Sequence, residues 1–402
     1  MTARVRRWLR DLMPSPVRER YHRYALKRDF GIGAPEGRRG ASETLSPGLN
    51  VIGYHDSVSG VGQSSRALAL AAEAAGIAVA RVRLPRAGPR EGGPYDVNLY
   101  HVNADAAAPV VEELGPRLHA GRLNVGYWYW ESDRFPQRWR DRFAYFDEIW
   151  VASEFCRRAI ASASPIPVHV VPPAVVPPRA PAAPPAEAEV PDGFFFLTVF
   201  DALSVPERKN PLGTIRAFAH AFPSDTGVAL RVQVGNADRC EGLLPAMGEA
   251  AGGARVVVRD GTLGAPALAA LFASCGGYVS LHRAEGFGFP LAEAMALGKP
   301  VIATDYSGST DFLDAVTGFP VRWSPHPLPA AIRDYEAGTL WAEPDERHAA
   351  EMLRLAHGDS GERGRRTDAG RTRIASRYGL PAVGARIRLR LDDLRARAGR
   401  AA

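Results

Sequence analysis

Two α/β domains, each built on a parallel, doubly wound sheet, are the fold that this sequence predicts. Three observations predict it. Short apolar runs rich in β-branched residues alternate with segments of helical period, the rhythm of a parallel sheet covered by helices. The 402 residues suffice for two domains at about 100–200 residues each. A proline- and alanine-rich stretch, PPAVVPPRAPAAPPAEAEVP at 172–191, separates the two rhythmic halves and has no periodicity of its own.

The elements follow in chain order. Residues 1–45 form an extension in which Val5, Trp8, Leu9, Leu12 and Met13 fall on one helical face and Arg4, Arg6, Arg7 and Arg10 fill the rest. Such a basic amphipathic helix, within residues 1–28, lies either on an anionic membrane surface or on the protein's own body. The first domain spans 46–175. Its strands are expected at 49–54, 78–84, 96–102, 123–128, 148–152 and 168–171, with a loop at 55–62 and a helix at 63–75. The linker proper is 176–191. The second domain spans 192–375, with strands at 194–200, 228–235, 254–259, 278–282 and 301–304 and helices at 211–222 and 266–274. Residues 376–402 are a separate helical tail.

Composition excludes several classes. No apolar run reaches ~18 residues, so no transmembrane helix is expected. The charges of MTARVRRWLRDLMPSP are too closely spaced for a signal-peptide core. Cys156, Cys240 and Cys275 are odd in number and lack metal spacing, so they read as reduced thiols of a cytoplasmic protein. The net charge of +6 is modest, and no basic run interleaved with aromatics suggests nucleic acid.

The most informative stretch is SLHRAEGFGFPLAEAMALGKPVIATD, residues 280–305. A strand leads into the turn Glu285-Gly286-Phe287-Gly288, and Pro290 suits the first helical position. Gly298 ends that helix and Pro300 opens the next strand. Glu285 therefore sits at the carboxyl end of a strand and Glu293 about one turn into the following helix. That crevice is where open α/β sheets bind ligands, and a helix N-terminus there favours phosphate. In the segment FDALSVPERKNP, Arg208, Lys209 and Asn210 precede the helix that Pro211 begins. Adjacent cations beside a helix start suit a diphosphate. SGVGQSSR places Gly60, Val61 and Gly62 at a βα turn that allows close backbone approach. The segment NVGYWYWESDRFP brings Glu131 to the cleft rim, and His101 is the nearest cleft-facing imidazole. In 305–310, DYSGST, the serines and threonine before Asp311 read as a helix cap.

The string EGFG-F-P-x-x-E-A-M-A-x-G-x-P-V-I resembles the signature of the group 1 (family 4) retaining glycosyltransferases, which have the GT-B fold: two Rossmann-like domains facing a cleft. The resemblance covers about residues 48–395. It implies transfer of a sugar from a nucleotide-diphosphate sugar to an acceptor hydroxyl with retention, without metal or other cofactor. The setting would be glycan, cell-surface polysaccharide or glycoconjugate biosynthesis, in the cytoplasm or at the inner face of the membrane. It further implies that Arg208 and Lys209 grip the diphosphate, that Glu293 holds the ribose, and that Glu285 holds a donor-sugar hydroxyl. Gly60, Val61 and Gly62, with Gly286, Phe287 and Gly288, would line the donor site, and either Glu131 or His101 would contact donor or acceptor hydroxyls. The final helix would cross back onto the first domain. The other reading is a non-catalytic sugar- or nucleotide-binding partner of a polysaccharide assembly complex, against which the intact carboxylates and basic pair argue.

Overall fold

Strand β1 (Ser46–Gly53) is buried on both faces from Leu49 to Ile52, as the centre of a helix-covered parallel sheet requires. The computed structural model describes residues 45–85, 93–223 and 227–400. The amphipathic helix expected near the N-terminus lies outside the described residues. Strands β2 (Val79–Arg83), β3 (Tyr95–His101), β4 (Leu123–Trp128), β5 (Glu148–Val151) and β6 (Val168–Val170) complete a parallel sheet of order β2-β1-β3-β4-β5-β6. Buried asparagines cross it without loss of hydrogen bonding: Asn50 Nδ2 donates to Asn98 Oδ1 and Asn98 Nδ2 to Asn124 Oδ1, both at 2.9 Å. Helices α1 (Gly60–Ala74), α2 (Ala104–Leu114) and α3 (Glu154–Ala161) flank the sheet. Gly60, Val61 and Gly62 thus form the first helical turn, where a loop was expected; Ser59 supplies the N-cap that starts it early, accepting from Gly62 N.

The second sheet contains β7 (Phe194–Asp201), β8 (Val228–Gly235), β9 (Val256–Asp260), β10 (Gly277–Ser280), β11 (Val301–Thr304) and β12 (Phe319–Val321), in the order β12-β11-β10-β7-β8-β9. Helices α4 (Pro206–Lys209), α5 (Pro211–Ala221), α6 (Leu243–Ala251), α7 (Ala265–Ser274) and α8 (Phe289–Ala296) connect these strands. Strand order reverses between β1 and β3 in the first sheet and between β7 and β10 in the second. At such switch points the connections leave in opposite directions and open a crevice at the carboxyl ends. The two crevices face one another.

An antiparallel hairpin, β13 (Trp323–Pro327) and β14 (Leu340–Pro344), was not legible in the sequence. Beyond it run α9 (Glu346–Gly358), α10 (Ser360–Tyr378) and α11 (Leu380–Arg400). The last helix packs on α1 of the first domain, burying Val383, Ile387, Leu391 and Leu394 along one stripe. Carboxylates at the amino ends of two first-domain strands hold it: Asp96 pairs with Arg395 at 2.7 Å and buried Glu148 with Arg390 at 2.8 Å and with Arg397. The segment 172–191 is laid against the protein rather than spanning free between domains. Ala174, Val175 and Ala188 are buried, and Val175 N donates to Tyr378 O at 2.8 Å.

Candidate active site

The turn after β10 is shaped by glycines. Gly288 caps α8 with φ of 95°, a left-handed geometry that side chains disfavour. A Cβ added at Gly286 would come within 3.0 Å of the Tyr129 ring, and one added at Gly308 would lie 2.3 Å from Gly286 O. Gly308 N donates to Glu285 O at 2.9 Å, and Glu285 N donates to Ser307 Oγ at 2.8 Å. The 305–310 segment is therefore a buttress under the Glu285 turn. The capping expectation fails there: the element at Ser307–Asp311 is a 3₁₀ turn with no side-chain cap. Phe287 is also reassigned. Its ring is buried among Phe289, Phe312 and Tyr378, so only its backbone can face a ligand.

Glu285 is 8 % exposed and receives both cations. Lys209 Nζ donates to Oε1, and Arg208 Nη1 approaches Oε2 at 3.4 Å. Burial alone would raise the Glu285 pKa, but Lys209, Arg208 and His282 outweigh it and hold it at about 2. Burial lowers the Lys209 pKa, with Glu285 opposing. Burial disfavours the Arg208 charge too, yet Tyr335, Glu131 and Glu285 together raise its pKa. Both cations lie on α4. The start of α5 is filled by Asn210, whose φ is 51° and whose Oδ1 accepts from Gly213 N at 3.2 Å. Arg208 Nη1 and Nη2 also donate to the carbonyls of Ala284 and Ser204. Arg208 thus fixes the Glu285 turn, whereas the Lys209 ammonium has no hydrogen-bond partner but Glu285 among the described residues. The N-terminus of α8, beside them, has no side-chain cap.

Glu293 lies on α8, 8 % exposed, and accepts from Gln63 Nε2 of α1 at 2.5 Å. Burial raises its pKa to about 7, with the Gln63 bond opposing. Gln63 directly follows the Gly60–Val61–Gly62 turn, so α1 meets the second domain end-on. Nearby, Ser153 Oγ donates to Gly286 O at 2.7 Å. Gln63 and Ser153 were not singled out from sequence, and no local pattern marks either.

His101 does not face the cleft. It is 0 % exposed, stacks on Tyr127 at 4.6 Å and bonds Ser64 Oγ at 2.8 Å. Burial lowers its pKa to about 3, so it is a neutral core imidazole that cannot reach substrate. Strand alternation could not reveal this, because the residue is the last of a strand buried on both faces. Glu131 is half-buried at the cleft, where Tyr335 OH donates to its Oε2 at 2.9 Å. Among the described residues no group of three or more His, Cys, Asp or Glu is arranged to hold a metal ion.

Comparisons with known proteins bear on the fold. Residues 201–350 match the family model described as Glycosyl transferases group 1. Sucrose-phosphate synthase from Thermosynechococcus elongatus aligns at 17 % identity with a TM-score of 0.60, covering 87 % of this chain and 100 % of that one. HepE of Anabaena, solved with UDP and glucose, aligns at 14 % identity with a TM-score of 0.59, covering 87 % and 100 %. A glycosyltransferase from Rickettsia africae aligns at 11 % identity with a TM-score of 0.62, covering 87 % and 99 %. The fold is GT-B. No curated protein matches the sequence.

Proposed function

We propose that this chain, whose residues 201–350 match the group 1 glycosyltransferase model, is a retaining enzyme that moves a sugar from a nucleotide-diphosphate sugar to an acceptor hydroxyl. The observation that carries the reading is the Lys209–Glu285–Arg208 group at the switch point of the second sheet. As the bond from C1 to the β-phosphate oxygen breaks, its electron pair passes to the diphosphate. Lys209 leaves Glu285 for the phosphate, and the open N-terminus of α8 adds its partial positive charge. These contacts strengthen as negative charge develops, so they lower the barrier more than they tighten ground-state binding. The charge that a metal would otherwise supply comes from side chains. Glu285, held ionised, then accepts from a sugar hydroxyl and stabilises the cationic ring, while Glu293 exchanges Gln63 for the ribose hydroxyls. The departing phosphate takes the acceptor's proton. The UDP and glucose in the Anabaena structure support this class of donor. The reading extends to a cytoplasmic role in glycan, cell-surface polysaccharide or glycoconjugate biosynthesis.

The test is a thermal-shift screen with UDP-glucose, UDP-N-acetylglucosamine, GDP-mannose and TDP-rhamnose. At least one should raise the melting temperature, because a ligand bound only by the folded state stabilises it. A flat response to every nucleotide sugar at millimolar concentration contradicts the reading.

A further inference from the structure

We propose that Tyr335, carried on the arm between β13 and β14, is a positioning residue that holds Glu131 with one carboxylate oxygen free to accept a hydrogen bond from the incoming acceptor, through a proton other than the one that passes to the phosphate. The inference rests on the glycosyl-transfer reading above.

The arm belongs to the second domain but is seated on the first. Its tip is a tight turn in which Ile332 and Tyr335 exchange backbone hydrogen bonds at 2.9 Å, with Arg333 at φ of 51°. Tyr335 is buried, stacks on Trp130 at 5.0 Å, and meets Trp341 edge-on at 5.2 Å. Two polar ties flank it: Arg138 to Asp334 at 2.7 Å and Leu340 N to Asp133 Oδ1 at 3.0 Å. Adhesion of the arm is therefore supplied without the phenol–carboxylate bond. That bond instead sets the carboxyl group of Glu131 beside an aromatic stack, in one orientation. Tyr335 OH engages Oε2 of Glu131 at 2.9 Å, while Oε1 accepts no hydrogen bond among the described residues and the residue is half-buried rather than sealed. Arg208, nine-tenths buried, has an unpartnered Nε, and Glu131 adds to the negative field around it. A free carboxylate oxygen, a fixed orientation and a nearby cation suit an acceptor that is about to attack. Tyr335 acts through Glu131, because its ring is committed to Trp130 and its only hydroxyl to the carboxylate.

Water serves as the simplest attacking hydroxyl. In donor hydrolysis the C1–O bond to phosphate breaks, its electrons stay on the phosphate oxygen, and a water lone pair forms the new C1–O bond. One water proton passes to the phosphate, and the other is the one donated to Glu131. Hydrolysis of whichever sugar nucleotide shifts the melting temperature most therefore reads the pair directly. Tyr335→Phe keeps the stack and removes the bond; Glu131→Gln keeps the shape and removes the charge. Each should lower kcat for hydrolysis by about 10- to 150-fold, the size of one hydrogen bond to a charged group. The donor Kd should stay within about twofold of wild type, a split that a mere strut would not produce. The double variant should be no worse than Glu131→Gln alone, since coupled residues are not additive. Wild-type hydrolysis in Tyr335→Phe, a double variant losing the product of the two singles, or donor affinity lost in step with kcat would overturn the proposal. Failure of the wild-type protein to bind any sugar nucleotide overturns the underlying functional reading instead, so the two failures are distinct.

Discussion

Gln63 Nε2 of the first domain donates to Glu293 Oε1 of the second at 2.5 Å. This single amide satisfies a carboxyl that is 8 % exposed and that no cation among the described residues pairs with. Burial pushes its pKa from the ordinary 4.5 to about 7. A carboxyl with a raised folded-state pKa holds its proton longer folded than unfolded. Its stabilising contribution is complete below the ordinary value and is lost as pH rises through about 7. The melting temperature of the ligand-free protein should thus fall across that interval. In Glu293→Gln, which cannot ionise, this part of the fall should be missing from parallel melts.

Donor affinity should carry the opposite dependence. Ribose hydroxyls donate to the ionised carboxylate, so binding must release the Glu293 proton below pH of about 7. The Kd should rise as pH falls, by at most about tenfold per pH unit. In Glu293→Gln the profile should flatten and sit at weaker affinity. A titration series by calorimetry checks both the slope and the proton release.

Lys209→Ala removes the cation held only by Glu285 among the described residues. Losing one preorganised donor to a developing anion costs about 2.7–4 kcal/mol, so kcat should fall by about 100- to 1000-fold. The fold should survive, because Arg208 still engages Glu285. Steady-state kinetics with the donor found by thermal shift measures this; a loss under tenfold would remove Lys209 from the diphosphate.

Gly308→Ala tests the buttress. The added methyl would sit 2.3 Å from Gly286 O, so the Glu285 turn must move. Overpacking of this kind costs about 1–3 kcal/mol. Both the melting temperature and donor affinity should drop, and Ser307→Ala, which deletes one hydrogen bond, should show the same pattern more weakly.

Glu148→Ala tests the docking of α11. Glu148 is fully buried and paired with Arg390 and Arg397. Removing one partner of a buried ion group costs about 3–5 kcal/mol. Denaturant unfolding should show that loss, and limited proteolysis should cut earlier within the last helix.

What could be read from the sequence was local. Hydrophobic runs marked most strands to within a few residues, and the spacing of Gly286, Gly288, Pro290 and Gly298 marked the turn and helix that present Glu285 and Glu293. What escaped depends on contacts across the chain. Gln63, Ser153 and Tyr335 acquire meaning only when the domains meet. Ser307 looked like a cap because a Ser-Gly-Ser-Thr run carries the same local signal whether it bonds its own helix or a turn elsewhere. The hairpin was invisible because Trp323–Pro327 contains two prolines, which hide a strand on an edge. The residue that ends β3, His101, looked accessible because strand-end position says nothing about which layer covers it.

The most direct measurement is a crystal structure of the chain with the sugar nucleotide that stabilises it most. The account predicts the diphosphate against Lys209 and the N-terminus of α8, the ribose on Glu293 in place of Gln63, and a sugar hydroxyl on Glu285. A donor bound elsewhere, with Lys209 still on Glu285 and Gln63 still on Glu293, would contradict it.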